Sequence, residues 1–216
     1  MSRLDATGRP GWLSRPALML IAALGLLLAA HLLDAAALTH LRYPAANDRD
    51  WGRLLRIMGF APTWILVAAA FWMHGHGGTD DASIAARDTA LAILAAIAIG
   101  GLGAEALKLL IRRERPLPTF EGYSFRAFAD RPFNTGRLGM PSSHTMVAFA
   151  GAPALASRYP RTGWVVLGMA AGCGLTRIFA GAHFLSDVVA AGIGGTIAGV
   201  AATRWVATRR RRVGLA

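Results

Sequence analysis

Three short stretches hold nearly all the chemistry this sequence offers. KLLIRRERP (108–116) supplies Lys108 and Arg115, PSSH (141–144) supplies Ser142, Ser143 and His144, and TRIFAGAHFLSD (176–187) supplies Arg177, His183 and Asp187. Three cations together with the backbone N–H groups of a helix start describe an oxyanion site, for which phosphate is the usual multiply charged occupant. His144 and His183 bring two imidazoles able to exchange protons near neutral pH. Asp187 follows His183 by four residues, which on a helix puts both on one face, where a carboxylate can hold one ring nitrogen. Two imidazoles, only one with an evident orienting carboxylate, suggest a division of labour. One attacks phosphorus and the other protonates the leaving oxygen.

The elements that must position these residues are unusually apolar. Of 216 residues, 54% are hydrophobic and 16% charged, against about 25% charged in an ordinary soluble domain, and the mean hydropathy is +0.42. A bilayer takes roughly 20 apolar residues per helical span. The chain reads as an all-α integral membrane helical bundle of six transmembrane helices, at about 16–38, 61–73, 89–111, 141–157, 161–179 and 185–206. This predicts one transmembrane domain over 16–206, between a basic tail at 1–15 and another at 207–216. Gly and Ala within the spans allow close helix approach. The stretch 39–60 alternates apolar Trp51, Leu54, Leu55 and Met58 with Arg49, Arg53 and Arg56, the pattern of a short amphipathic helix in the interface. The alternating topology brings the three polar stretches to one membrane face, opposite the tails.

The formal charge is +11, from 22 Arg, one Lys and 12 acids. Most of these Arg stand at the ends of apolar runs, which points to membrane anchoring and not to nucleic acid. Arg112 and Arg113 read as interfacial anchors, Glu105 and Glu114 as structural, and His31 with Asp34 as a local pair at the interface. His74 and His76 lie in a Gly-rich polar loop and read as solvated residues, not metal ligands. Cys173 is the only cysteine, so no intrachain disulfide forms. The loop at 112–140 mixes Arg126, Arg131 and Arg137 with Phe120, Tyr123, Phe125, Phe128 and Phe133. Two readings stand side by side: a lid over lipid headgroups, or a loop packing its aromatics on the helix ends.

At these residues the chain resembles the type 2 phosphatidic acid phosphatase superfamily, in its membrane lipid phosphatase branch. The family signature is KxxxxxxRP, then PSGH, then SRxxxxxHxxxD. Here Lys108 with Arg115-Pro116 matches the first part. Pro141, Ser142 and His144 match the second, with Ser143 in place of Gly, and Arg177, His183 and Asp187 match the third, with Thr176 in place of Ser. The resemblance implies that His183 is the nucleophile, Asp187 its orienting carboxylate, and His144 the general acid and then base. It also implies that Lys108, Arg115, Arg177, Ser142 and Ser143 hold the phosphoryl oxygens, with no metal and no cofactor. Gly in the second signature allows close backbone approach. Ser143 keeps its amide available if its φ is negative.

The expected function is hydrolysis of a lipid phosphate or diphosphate held in the bilayer, with undecaprenyl diphosphate leading and phosphatidylglycerol phosphate or lipid A phosphates next. One rival is phosphotransfer to a second lipid, and another is a non-catalytic carrier of anionic lipid, for which an imidazole pair has no use. The expected location is a bacterial inner membrane, with cytoplasmic tails and the site on the extracytoplasmic side.

Overall fold

The computed structural model describes residues 14–212. They form eight α-helices: α1 (Arg15–Leu32), α2 (Asp34–His40), α3 (Asp50–Arg56), α4 (Ala61–His74), α5 (Asp81–Ile111), α6 (Ser143–Arg158), α7 (Gly163–Phe179) and α8 (Leu185–Arg212). Among the described residues the only strand-like pairing is two isolated antiparallel bridges, Arg113 with Phe125 and Glu114 with Leu138. Residues 1–13 and 213–216 of the expected tails lie outside the described part. Residues 207–212 continue α8 through the arginine run.

Helix ends follow local chemistry. Ser14 caps α1, accepting from the Ala17 N–H, with Pro16 in the first turn. Asp80 caps α5, accepting from the Ser83 N–H and, at 2.5 Å, from its hydroxyl. That cap starts α5 eight residues before the expected 89, giving 31 residues and a length of about 46 Å.

Four helical segments are long and apolar enough to cross a membrane: Arg15–Leu32, Asp81–Ile111, Pro160–Phe179 and Leu185–Arg212. A fifth is gained if Asp50–Gly59 and Ala61–His74, which meet at 69°, count as one bent span. The remaining member of the expected six is α6, with 16 residues. It is central and needs less lipid-facing surface of its own.

The centre is a trio of α5, α6 and α8, with α4 against α5, α7 against α6, α3 on α7, and α1 on α8. Small residues make this possible. Ala96, Ala148, Ala150, Ala152 and Ala202 have no exposed surface, and a Cβ on Gly199 would stand 2.5 Å from the Ala150 carbonyl oxygen. Backbones this close gain van der Waals contact that larger side chains would block. Trp64 is the largest fully buried side chain among the described residues, and its indole N–H donates to the Met58 carbonyl at 2.7 Å. That bond fixes the bend between α3 and α4. Around the rim, Met19, Leu20, Leu66, Leu102 and Trp164 point outward, as lipid-facing side chains should.

Candidate active site

His183 stands in the turn between α7 and α8 and is buried. Its Nδ1 lies 2.9 Å from the Gly139 carbonyl oxygen and 3.7 Å from Asp187 Oδ2. A carbonyl can only accept, so Nδ1 carries the proton and the Nε2 lone pair is left free. The nearer orienting group is therefore a backbone carbonyl, with the expected carboxylate behind it. Burial pulls the His183 pKa below its ordinary value, opposed by Asp187 and reinforced by the charges of Arg177 and Arg115. The ring is neutral at physiological pH.

Asp187 is committed on both oxygens. As the third residue of α8 it accepts, through Oδ2, the Phe184 N–H at 2.9 Å, the returning half of a capping box. Through Oδ1 it pairs with the Arg113 guanidinium, whose Nε is 3.1 Å away and whose Nη2 also donates to the Ser186 hydroxyl at 2.8 Å. Arg113 lies over the rings of Tyr123 and Phe184, at 5.1 and 5.2 Å from their centroids. The interfacial-anchor reading of Arg113 is thus corrected: the side chain is buried against two carboxylates. The second is Asp34, 4.0 Å from Arg113 Nη1.

Asp34 is likewise no surface partner of His31. It has no exposed surface and accepts from the Ser186 N–H at 2.8 Å, the Ser186 hydroxyl at 2.5 Å and the Tyr123 hydroxyl at 3.0 Å. His31 stays near, 3.6 Å away, and stacks on Tyr123. Burial and the Asp34 carboxylate push the Tyr123 phenol up to about 12, so it is a permanent donor. The sequence signal for this network was a lone carboxylate inside an apolar helix, which marks function by default. Its partner in α8 is 152 positions away, beyond the reach of any local pattern.

His144 occupies the first turn of α6. Ser142 stands at the N-cap position of that helix without a side-chain cap bond; its N–H donates to the Asp187 carbonyl at 3.2 Å, which ties the starts of α6 and α8 together. Ser143 lies inside α6 and is not among the residues of positive φ. Its hydroxyl donates to Glu105 at 2.6 Å and accepts from the Lys108 ammonium, which also pairs with Glu105 at 2.9 Å. The serine that replaces the family glycine therefore links α5 to α6. Glu105, read as structural, is the partner of Lys108.

Arg177 is buried near the end of α7, and its Nε finds no hydrogen-bond partner among the described residues. A buried guanidinium left in this state is costly unless an anion meets it. Arg115 is exposed, and its charge, like that of Arg177, acts on both histidines. His144 opens on a cleft of about 290 Å³ lined by Arg53, Arg56, Ile57 and Phe60. Gly59 holds that wall in place: a Cβ there would lie 2.6 Å from the Cβ of His144.

The 112–140 loop has no helix, and two arginines replace one. Arg112 ends α5 in the left-handed conformation, with φ of 58°. It donates to the carbonyls of Arg126, Ala127, Asp130 and Pro132 at 2.5–3.3 Å. Arg126 donates to those of Asn134 and Gly136 at 2.9 and 2.6 Å, and pairs with Glu114 at 3.4 Å. Arg112 is therefore a buried organiser of the loop, not an interfacial anchor. The aromatics divide. Phe120 and Tyr123 make edge contacts with Phe184, while Phe125, Phe128 and Phe133 stay exposed.

Comparison with known proteins supplies a family and two relatives. The family model described as the PAP2 superfamily matches residues 89–211. A lipid A 1-phosphatase of Rhizobium johnstonii is 34% identical over 94 residues, covering 44% of this chain and 38% of the relative. A lipid A 1-phosphatase of Rhizobium etli is 28% identical over 175 residues, covering 73% of this chain and 75% of the relative. The match thus spans well under half the length of the first relative. No solved structure matches the chain.

Proposed function

The chain belongs to the PAP2 superfamily, and from that premise we propose that it is a membrane lipid phosphatase working through a phosphohistidine without a metal. The observation that carries this reading is the buried Arg177, whose Nε has no hydrogen-bond partner among the described residues and whose charge acts on both His144 and His183. The neutral His183, with Nδ1–H held by the Gly139 carbonyl, attacks phosphorus through Nε2, and the bond from phosphorus to the leaving oxygen breaks. His144 gives that oxygen its proton. It then takes a proton from water, which attacks phosphorus and releases His183. Arg177, Arg115, Lys108 and the Ser143 amide hold the phosphoryl oxygens as charge builds on them, whereas the Ser142 N–H expected beside them is already given to the Asp187 carbonyl at 3.2 Å.

The leading substrate is a polyprenyl diphosphate such as undecaprenyl diphosphate. A phosphorylated glycolipid is the second reading, favoured by the names of the two Rhizobium relatives. Transfer of the phosphoryl group to a second lipid in place of water uses the same first step. The basic ends of the bundle support cytoplasmic tails, because Arg87, Arg158, Arg209, Arg210 and Arg211 gather at the face opposite the site. The site then opens on the extracytoplasmic side, in a bacterial inner membrane.

The test is inorganic phosphate release by the purified protein from a panel of lipid phosphates in detergent with EDTA, with and without a lipid acceptor. Release from one of them, abolished in His183→Ala, supports the reading. Activity only after Mg²⁺ is restored overturns the metal-free mechanism. Phosphate appearing on the acceptor instead of in solution assigns transfer.

A further inference from the structure

The cleft beside His144 contains cations that no part of the three-part signature supplies. Arg53 and Arg56 come from α3, more than 50 residues before the first signature residue, Lys108. Their place is specified by packing. Leu55 lies against Gly172 of α7, the Cys173 thiol points at the Arg56 carbonyl at 3.8 Å, and Trp64 locks the turn that follows. Arg56 has no acid within 4 Å among the described residues, and Arg53 has only Asp50, at 3.8 Å with both side chains largely exposed. An interfacial anchor has no need to face a histidine. Yet Arg53 and Arg56 line the same cleft as His144.

We infer that Arg53 and Arg56 form an anion subsite on the leaving-group side of His144, built for the second phosphate of a lipid diphosphate. The inference rests on the proposed phosphatase mechanism and narrows its substrate class. The terminal phosphorus sits before His183, and the bridging oxygen at His144. The inner phosphate then falls in the cleft between the two guanidiniums, and the lipid tail leaves across Ile57 and Phe60, which are 46% and 54% exposed. Attack breaks the bond from the terminal phosphorus to the bridging oxygen. The leaving group is a lipid monophosphate whose new charge develops where Arg56 and the His144 proton meet it. Water then releases inorganic phosphate from His183.

The experiment compares undecaprenyl diphosphate with undecaprenyl phosphate, so that the tail is constant and only the second phosphate differs. The wild type should prefer the diphosphate in kcat/KM, and Arg53→Gln/Arg56→Gln should lower that preference at least tenfold, mainly through KM, with Arg56→Lys between them. An unchanged preference, as simple anchoring would give, overturns the inference. Binding without turnover keeps the inference separate from the mechanism. Inorganic diphosphate should protect the wild type against heat more than inorganic phosphate does, and the double glutamine variant should lose that difference. Loss of all lipid phosphatase activity with this difference intact refutes the mechanism and not the subsite. Equal protection by the two anions refutes the subsite while hydrolysis stands.

Discussion

Arg113 and Asp187 form a buried ion pair, Nε to Oδ1 at 3.1 Å, directly behind His183. The pair joins the end of α5 to the start of α8 and shares its guanidinium with Asp34 of α2 at 4.0 Å. The carboxylate that stands 3.7 Å behind His183 is thereby clamped on its other oxygen. Removing one partner of such a pair leaves the other charge buried and alone, at a cost of about 3–5 kcal/mol. Arg113→Met should therefore melt well below the wild type in detergent and lose phosphatase activity. Adding Asp34→Asn to it should recover part of the melting temperature, since one orphaned charge is gone. An unchanged melting temperature for Arg113→Met contradicts this role.

Burial lowers the His183 pKa below its ordinary value, which is about 6.5. As the proposed nucleophile, His183 must be neutral to attack, so the acid limb of kcat/KM should fall below pH ~6.5 instead of at it. In the window between the folded and unfolded pKa values the unfolded chain binds the extra proton, so stability rises with pH there. This contribution is complete above the unfolded value and is lost as pH falls through the folded one. Melting curves from pH 5 to 7 should show the dependence in the wild type and a weaker one in His183→Gln.

The polar stretches were legible because chemistry restricts residue types. The only lysine in the chain stands at position 108, and an Arg, a His and an Asp interrupt one apolar run between 176 and 187. Apolar length likewise located the helices, within a few residues at most ends. What stayed hidden was pairing across the chain. RRERP looks the same whether its arginines face lipid headgroups or reach 74 positions to Asp187. Asp34 with His31 three residues before it looks like a local pair until Ser186 and Tyr123 arrive from distant segments. The extension of α5 was missed for another reason. Its first turn is polar and capped by Asp80, so hydropathy alone starts the helix late.

Arg112 and Arg126 make the 112–140 loop a fixed platform. Bonds from a charged donor contribute about 1.5–3 kcal/mol each, and Arg126 directs two at backbone carbonyls. Arg126→Gln should open residues 126–136 to protease and speed their amide exchange, while α5 and α8 stay protected. Equal exchange in variant and wild type contradicts the platform.

Gly59 lets α6 approach the bend before α4. A Cβ there would fall 2.6 Å from the Cβ of His144 and 2.7 Å from its carbonyl oxygen, so Gly59→Ala must displace His144, the proposed acid. A shift of about 1 Å can cost 10²-fold in rate. The expected result is a loss of that order in kcat with the protein still folded by gel filtration. Wild-type kcat in this variant contradicts the placement of His144.

If phosphorus passes through His183, the phosphoenzyme can be captured. Wild-type protein mixed with a ³²P-labelled lipid phosphate and quenched in alkali should hold acid-labile, base-stable label on the peptide containing His183, and His183→Ala should hold none. Label on any other residue, or phosphate release at the wild-type rate by His183→Ala, would rule out His183 as the group that carries phosphorus.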